Sequence, residues 1–217
     1  MKPPFVIAVD GPAASGKGTI ASGLAATYGL PMLDSGLLYR AVGVLLARQG
    51  GHFDDVDAAT QVARDLTAEM LTDSAFRTRE AGEAASRVAI HTPVRMALRD
   101  MQQSFAHRRE GAVIDGRDIG TVIAPEAPAK LYVTADPEVR AERRYKQLQG
   151  QGEPVTYEDI LEDIRRRDAR DGGRADSPMV QAADAVLLDT SQMSIERATD
   201  AARRIVEAAR ARWETSQ

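Results

Sequence analysis

The residues best suited to chemistry form one stretch near the start of the chain, DGPAASGKGT at positions 10–19. Gly11, Gly16 and Lys17 fit the spacing G-x-x-x-x-G-K, which is typical of a loop that binds a polyphosphate. Glycines let backbone N–H groups face the phosphates, a helix start adds a partial positive charge, and the lysine adds a full one. A glycine follows the lysine, so the hydroxyl that usually binds metal is displaced by one residue, to Thr19.

A strand-like run precedes this loop and a helical pattern follows it. Residues Phe5–Val9 are all apolar, and Ile20, Leu24 and Tyr28 keep helical spacing up to Gly29. Strand, glycine loop and helix in this order are the context that a phosphate-binding loop requires. We therefore expect the stretch to bind a nucleoside triphosphate.

Two polar clusters elsewhere could form part of a ligand site, and the first of them could hold a second anion. DSG at 34–36, followed by YR at 39–40, places a hydroxyl and a guanidinium at a helix start. An ordinary cap with a solvated arginine is the alternative.

DGRD at 115–118 follows the apolar run 112–114, at the strand end where open parallel sheets bind ligands. Here a structural ion network is the alternative.

A third cluster, RRRDARDGGR at 165–174, combines a basic helix end with a double glycine. Arg167 and Asp171 share one helix face, and Arg174 lies just past the glycines. A basic helix end beside a flexible joint suits a lid that closes over phosphates. The alternative is a solvent-exposed face, because Glu162 with Arg166 and Asp163 with Arg167 are spaced for helix ion pairs.

Strands alternate with helices along the chain. Apolar runs predict strands near residues 5–9, 30–33, 112–114, 130–134 and 185–188. A helix after Asp54 is predicted through Met70, whereas 72–79 lacks periodicity. Every crossover is long enough to be right-handed, which favours an α/β fold with a five-stranded parallel sheet flanked by helices.

The composition excludes several classes of function. The chain has 217 residues, a formal charge of −4 and no cysteine, so disulfides, thiolate zinc sites and cysteine nucleophiles are absent. Its charge gives no general attraction to nucleic acid or acidic membranes. Asp10 ends the first apolar run too early for a signal peptide or a membrane span. We expect a cytoplasmic monomer with no nucleic-acid or membrane partner.

Together the motifs resemble those of bacterial cytidylate kinases, in the nucleoside monophosphate (NMP) kinase group of P-loop proteins. The matching segments are DGPAASGKGT, MLDSGLLYR, EAASRVA, PVRMALRDMQ, IDGRDIGTV, ERRYKQLQ, RRRDARDGGRA and ADAVLLDTS. They span almost the whole chain, and GKGT with its displaced hydroxyl is typical of these small kinases. The resemblance implies one P-loop kinase domain with a core at about 1–50, 110–136 and 180–217, a shortened NMP-binding helical insert at about 54–109, and a lid at about 140–178.

The resemblance also implies a reaction, transfer of the ATP γ-phosphoryl group to CMP or dCMP with Mg²⁺, and roles for individual residues. The ATP phosphates would be bound by Gly11, Pro12, Ala13, Ala14, Ser15, Gly16, Lys17, Gly18 and Thr19. The CMP phosphate would be bound by Ser35, Arg40, Arg117 and Arg174, the ribose and approaching phosphates by Arg167 and Asp171, and the cytosine by Ser86, Arg95 and Asp118. The catalytic residues would be Lys17, Arg117, Arg167 and Arg174. The candidate metal ligands are Thr19 directly and Asp10 or Asp115 through water.

The base-reading residues suit cytosine. A carboxylate accepts from the cytosine amino group while Arg and Ser donate to its acceptors, so UMP should be the poorer substrate. Without the motif match, Ser86 and Arg95 would be interpreted as a polar helix surface. Only Thr72–Arg79 stands where longer family members carry a base-covering insert, which leaves the discrimination between CMP and UMP open.

Three other classes remain as alternatives. A GTPase switch needs an Asn-Lys-x-Asp motif, and the chain contains no asparagine. A P-loop kinase acting on shikimate, gluconate, AMP or UMP would share the loop and the lid. A non-catalytic nucleotide-binding module would not need the lysine, the strand-end carboxylates and the lid arginines together.

Overall fold

The computed structural model describes residues 3–215, which contain a five-stranded sheet in the order β2-β3-β1-β4-β5. The strands are β1 (Val6–Asp10), β2 (Met32–Asp34), β3 (Ala112–Gly116), β4 (Ala129–Thr134) and β5 (Val186–Asp189). The helices are α1 (Lys17–Tyr28), α2 (Ser35–Arg48), α3 (Val56–Arg64), α4 (Arg79–Val88), α5 (Thr92–Ala106), α6 (Pro137–Gly150), α7 (Tyr157–Gly172) and α8 (Ile195–Thr215). The predicted α/β architecture with a five-stranded parallel sheet is confirmed.

The parallel register places the polar C-terminal ends of neighbouring strands side by side. Asp10 at the end of β1 lies opposite Gly116 of β3 and Tyr132 of β4. Thr134 of β4 lies opposite Asp189 of β5. The phosphate loop that follows Asp10 and the DGRD segment that ends β3 therefore share one edge of the sheet, the edge where parallel sheets bind ligands.

The chain divides into two units. The first contains the residues up to Met32 and those from Ala106 onward, and its core packs β1 and β4 against α1 and α8. The second, Leu33–Phe105, contains α2 to α4 and nearly all of α5. Leu38, Leu46 and Phe76 lie at its centre, fully buried or nearly so.

The second unit differs from the sequence prediction in one helix. α3 ends at Arg64 rather than continuing to Met70, and a short 3-10 helix follows at Ala68–Thr72. The backbone at Thr67 is extended, which interrupts the i to i+4 hydrogen-bond pattern. Another 3-10 helix, Ser74–Arg77, occupies the segment that lacked periodicity.

The described part of the chain, residues 3–215, contains no helix with the length and apolar character needed to cross a membrane.

Candidate active site

The phosphate loop connects β1 to α1 in a conformation that requires glycine. Gly11 has a φ of 146°, and a Cβ at this position would lie 2.0 Å from the carbonyl oxygen of Val133 on β4. Gly16 caps α1 with a φ of 87°. Ala14 also adopts a left-handed φ, 59°, although it carries a side chain. The loop is thus held close to the sheet in a backbone shape that ordinary residues adopt only at a cost.

Lys17 begins α1 and is buried at the centre of this loop. Its Nζ donates to the carbonyl of Pro12 at 3.2 Å and lies 3.8 Å from Oδ1 of Asp115, the buried carboxylate near the end of β3. The lysine charge is therefore held among the loop backbone rather than in solvent. Thr19, the third residue of α1, is exposed.

Asp10 has a structural role that the sequence did not indicate. Its two carboxyl oxygens accept from the backbone N–H groups of Ile119 (2.8 Å) and Gly120 (2.7 Å). These donors open a one-turn π-helix, Ile119–Ile123, that follows the DGRD segment. Asp10 thereby fixes the backbone just after Asp118. Burial raises the pKa of the Asp10 carboxyl to about 7, although the two N–H donors lower it.

This raised pKa predicts a pH dependence of stability. Between about pH 4 and pH 7 the folded chain keeps a proton on Asp10 that the unfolded chain has lost, so the free energy of unfolding falls as the pH rises, by up to about 1.4 kcal/mol per pH unit from this group. Asp10→Asn removes the titration. The variant's free energy of unfolding minus that of the wild type should rise across this range in urea titrations. A difference that stays flat from pH 4.5 to 7 would contradict the assignment.

A buried carboxylate in the first unit, Asp171, lies beside three arginines. Asp171 on α7 accepts from Nε of Arg117 at 2.9 Å and forms a hydrogen-bonded ion pair with Arg174. Burial would raise the pKa of Asp171, but the charges of Arg117 and Arg174, with a contribution from Arg167, hold it below its ordinary value. The four groups carry more positive than negative charge, which suits the binding of an anion.

The basic run of α7 thus divides into two faces. Arg165 pairs with Glu138 of α6, and Arg166 pairs with Asp163, and these ion pairs are at least partly exposed. Asp171 lies on the buried face. The surface interpretation of the run is correct for Arg165 and Arg166 and wrong for Asp171.

The second unit contains four of the residues predicted to bind the phosphoryl acceptor: Ser35, Arg40, Ser86 and Arg95. Asp34 caps α2 by accepting from the N–H of Leu37 at 3.1 Å, and its second oxygen accepts from Arg40 at 2.6 Å. Arg40 also donates to the carbonyl of Phe76 at 2.8 Å. Arg40 is therefore fixed at the start of α2 and not freely solvated, and Ser35 beside the cap is buried.

Ser86 and Arg95 are also buried, on α4 and α5. Arg95 donates to the carbonyl of Ala89 at 2.6 Å and to the hydroxyl of Thr92 at 2.9 Å. A polar helix surface, the alternative interpretation of these two residues, is excluded by their burial. A buried arginine held by backbone and hydroxyl contacts is positioned as a rigid donor.

Sequence reasoning missed two residues that contact the phosphate loop. Arg140 of α6 donates to the carbonyl of Ala13 at 3.0 Å. The hydroxyl of Thr190 lies 3.2 Å from the carbonyl oxygen of Ser15 and 3.1 Å from that of Thr134, and its single hydrogen is donated to one of them at a time. Both come from segments more than 100 residues away in the sequence. The motif ADAVLLDTS contained Thr190, but nothing in its spacing indicated this contact.

The fold and the site define a P-loop phosphotransferase, with a phosphate loop at the C-terminal end of β1 and, in the same unit, arginines grouped around the buried carboxylate of Asp171. The chain belongs to the cytidylate kinase family, whose sequence profile matches residues 7–209. A cytidylate kinase from Caulobacter vibrioides is 71% identical over 208 residues, which cover 96% of this chain and 98% of the relative. One from Xanthobacter autotrophicus is 61% identical over 207 residues, with 95% and 99% covered.

A solved structure supports the fold alone. A sugar kinase from Janibacter is 17% identical, with a TM-score of 0.51 over 96% of this chain and 98% of the other. At that identity the likeness carries no information about the acceptor. The family membership disfavours the alternatives of a switch protein and of a kinase for another acceptor.

Proposed function

We propose that the protein transfers the γ-phosphoryl group of ATP to CMP or dCMP, giving ADP and CDP or dCDP. An oxygen of the acceptor phosphate attacks the γ-phosphorus while the bond to the β–γ bridging oxygen breaks. The acceptor is already an anion, so the protein needs no covalent nucleophile. Its task is to align two anions and to neutralise the charge that collects between them, and alignment alone can supply roughly 7–11 kcal/mol.

The phosphate loop is proposed to hold the ATP phosphates. The backbone from Gly11 to Thr19 supplies N–H donors, and the start of α1 supplies a partial positive charge. Lys17 is proposed to follow the charge on the transferred group. Its burial and its 3.2 Å contact with the Pro12 carbonyl support this role, because a poorly solvated cation interacts strongly with a nearby anion.

The observation that carries the proposal is the arginine cluster around Asp171. Arg117 and Arg174 form hydrogen-bonded ion pairs with one buried carboxylate, which orients these two guanidinium groups, and Arg167 adds a further positive charge nearby. Preorganised cations of this kind stabilise a charge that develops during phosphoryl transfer. In the second unit, Ser35 and Arg40 are proposed to bind the CMP phosphate, and Ser86 and Arg95 to bind the cytosine. In the first unit, Asp118 is proposed to accept from the cytosine amino group.

Mg²⁺ is implied by the family, and the residues at the start of α1 fit it. The side chain missing at Gly18 leaves space beside Asp115, since a Cβ there would lie 3.2 Å from Oδ2 of that carboxylate. Residues 3–215 contain no cluster of three or more metal-binding side chains. A site with one carboxylate, the Thr19 hydroxyl, water and substrate phosphates is what magnesium commonly uses. When bound, the ion would neutralise charge on the β- and γ-phosphates.

The experiment that tests this function is a coupled ADP-release assay with CMP, dCMP, UMP, AMP and shikimate as acceptors. We expect kcat/KM to be highest for CMP or dCMP and lower for UMP, because uracil would set a carbonyl oxygen against the carboxylate of Asp118. A preference for UMP would refute the base-reading assignment. Turnover of another acceptor without turnover of CMP would refute the function itself.

A further inference from the structure

Two long-range contacts hold the phosphate loop through its carbonyl oxygens. Arg140 donates to the carbonyl of Ala13, and the Thr190 hydroxyl, whose one hydrogen is shared with the Thr134 carbonyl, contacts that of Ser15. In a planar trans peptide the C=O and the N–H point in opposite directions. Fixing these carbonyls therefore also fixes the direction of the N–H groups of the residues that follow. Those N–H groups are the donors that a phosphate loop offers to its ligand.

The segment between the two contacts is the strained part of the loop. Ala14 has a φ of 59°, which residues with a side chain seldom adopt. Such a conformation persists only where the surroundings impose it. The hydrogen bond from Arg140 on one side of Ala14 supplies that constraint, and the Thr190 hydroxyl, shared with the Thr134 carbonyl, adds to it on the other side.

Arg140 is itself held rigidly. It is 3% exposed, its Nε donates to the carbonyl of Ala135 at 2.8 Å, and its two terminal nitrogens donate to Asp168 of α7 at 3.1 and 2.5 Å. A guanidinium fixed by a bidentate carboxylate and a backbone carbonyl has little freedom left. Its contact with Ala13 is therefore a preorganised one.

The geometry points to Arg140 as a positioning residue for the phosphate donor, with Asp168 as the group that orients it. Arg140 acts through the Ala13 carbonyl and sets the backbone on which the triphosphate binds. The inference rests on the proposed function only in taking a nucleoside triphosphate as the ligand of the loop. According to this inference, Arg140 affects the binding of the phosphate donor, ATP, and other residues bind the acceptor.

The test measures the ATP dissociation constant by calorimetry and the steady-state KM for each substrate. Arg140→Met keeps the apolar stem and removes the donors. The double variant Arg140→Met with Asp168→Asn removes both charges, so that the partly buried carboxylate of Asp168 is not left without its partner, and we expect it to fold. The control is Arg165→Met with Glu138→Gln, which breaks the exposed ion pair between the same two helices.

We expect the ATP dissociation constant and the ATP KM to rise tenfold or more in both Arg140 variants, with the CMP KM within twofold of wild type. The control should bind ATP within twofold of wild type. Arg140→Lys should recover part of the affinity, because lysine can still donate to the Ala13 carbonyl. ATP affinity within twofold of wild type in the double variant would overturn the inference. An equal loss of ATP affinity in the control would also overturn it, because any broken ion pair between α6 and α7 would then explain the loss.

The readout separates this inference from the proposed function. ATP binding is measured without any acceptor, so an error in the choice of CMP would leave the expected loss of ATP affinity unchanged. Conversely, a wrong role for Arg140 would leave the ranking of acceptors in the wild-type assay unchanged.

Discussion

Replacing Lys17 with methionine is expected to lower kcat by about 10²–10³-fold. Lys17 is the buried cation of the phosphate loop and is proposed to follow the transferred group. Methionine keeps most of the apolar stem but cannot compensate the charge that develops in the transition state. The ATP dissociation constant should change much less than kcat, because backbone N–H groups still hold the phosphates.

The control for this prediction is Lys146→Met, the same substitution on α6. Lys146 is exposed and pairs only with the neighbouring Glu142 among the ion pairs described. Its variant should retain the wild-type kcat. A Lys17→Met variant that unfolds like the wild type and keeps more than a tenth of its kcat would contradict the proposed role.

The sequence predicted the sheet and the phosphate loop because their causes are local. β1 and β3 are continuous apolar runs with every residue buried, and each ends in a polar segment. A glycine spacing and the helix that follows determine the loop within ten residues. The same reasoning placed DGRD at a strand end, where it lies level with Asp10. Local pattern and sheet topology were sufficient for these features.

The contacts that hold the loop could not be predicted because they join distant segments. Asp10 caps a turn more than 100 residues later, and Arg140 reaches the loop from α6. Arg140 lies in a charged helix whose pattern resembles a solvent face, yet it is among the most buried charged residues of the described chain. Burial of a charge depends on partners that only the tertiary structure brings near. The roles assigned to individual site residues, the domain boundaries, the monomeric state and the cytoplasmic location stay predictions.

The short segment before α4, Ser74–Arg77, stands where longer family members carry an insert that covers the base. Phe76 of that segment is buried in the core of the second unit, and its carbonyl accepts from Arg40. The segment therefore stabilises a residue proposed to bind the CMP phosphate. Its brevity in this chain does not leave Arg40 unsupported.

Replacing Gly11 with alanine is expected to destabilise the fold by roughly 2–6 kcal/mol. A φ of 146° is unfavourable for any residue with a side chain, and the new Cβ would lie 2.0 Å from the Val133 carbonyl oxygen and 3.0 Å from its carbon. Those atoms belong to β4, which is paired with β1 on one side and β5 on the other. The strand cannot move away without disturbing two ladders. Urea unfolding monitored by circular dichroism measures the effect.

The matched control is Gly29→Ala, at the end of α1. Gly29 also has a left-handed φ, 62°, but a Cβ there would have no atom within 4 Å. Only the backbone preference is lost, so the cost should be about 1 kcal/mol. A φ of 146° is less accessible to alanine than a φ of 62°, so the difference between the two variants combines the steric contact of the loop with β4 and the greater backbone cost at position 11. If Gly11→Ala and Gly29→Ala were equally stable, the close packing of the loop on the sheet would not be what requires glycine at position 11.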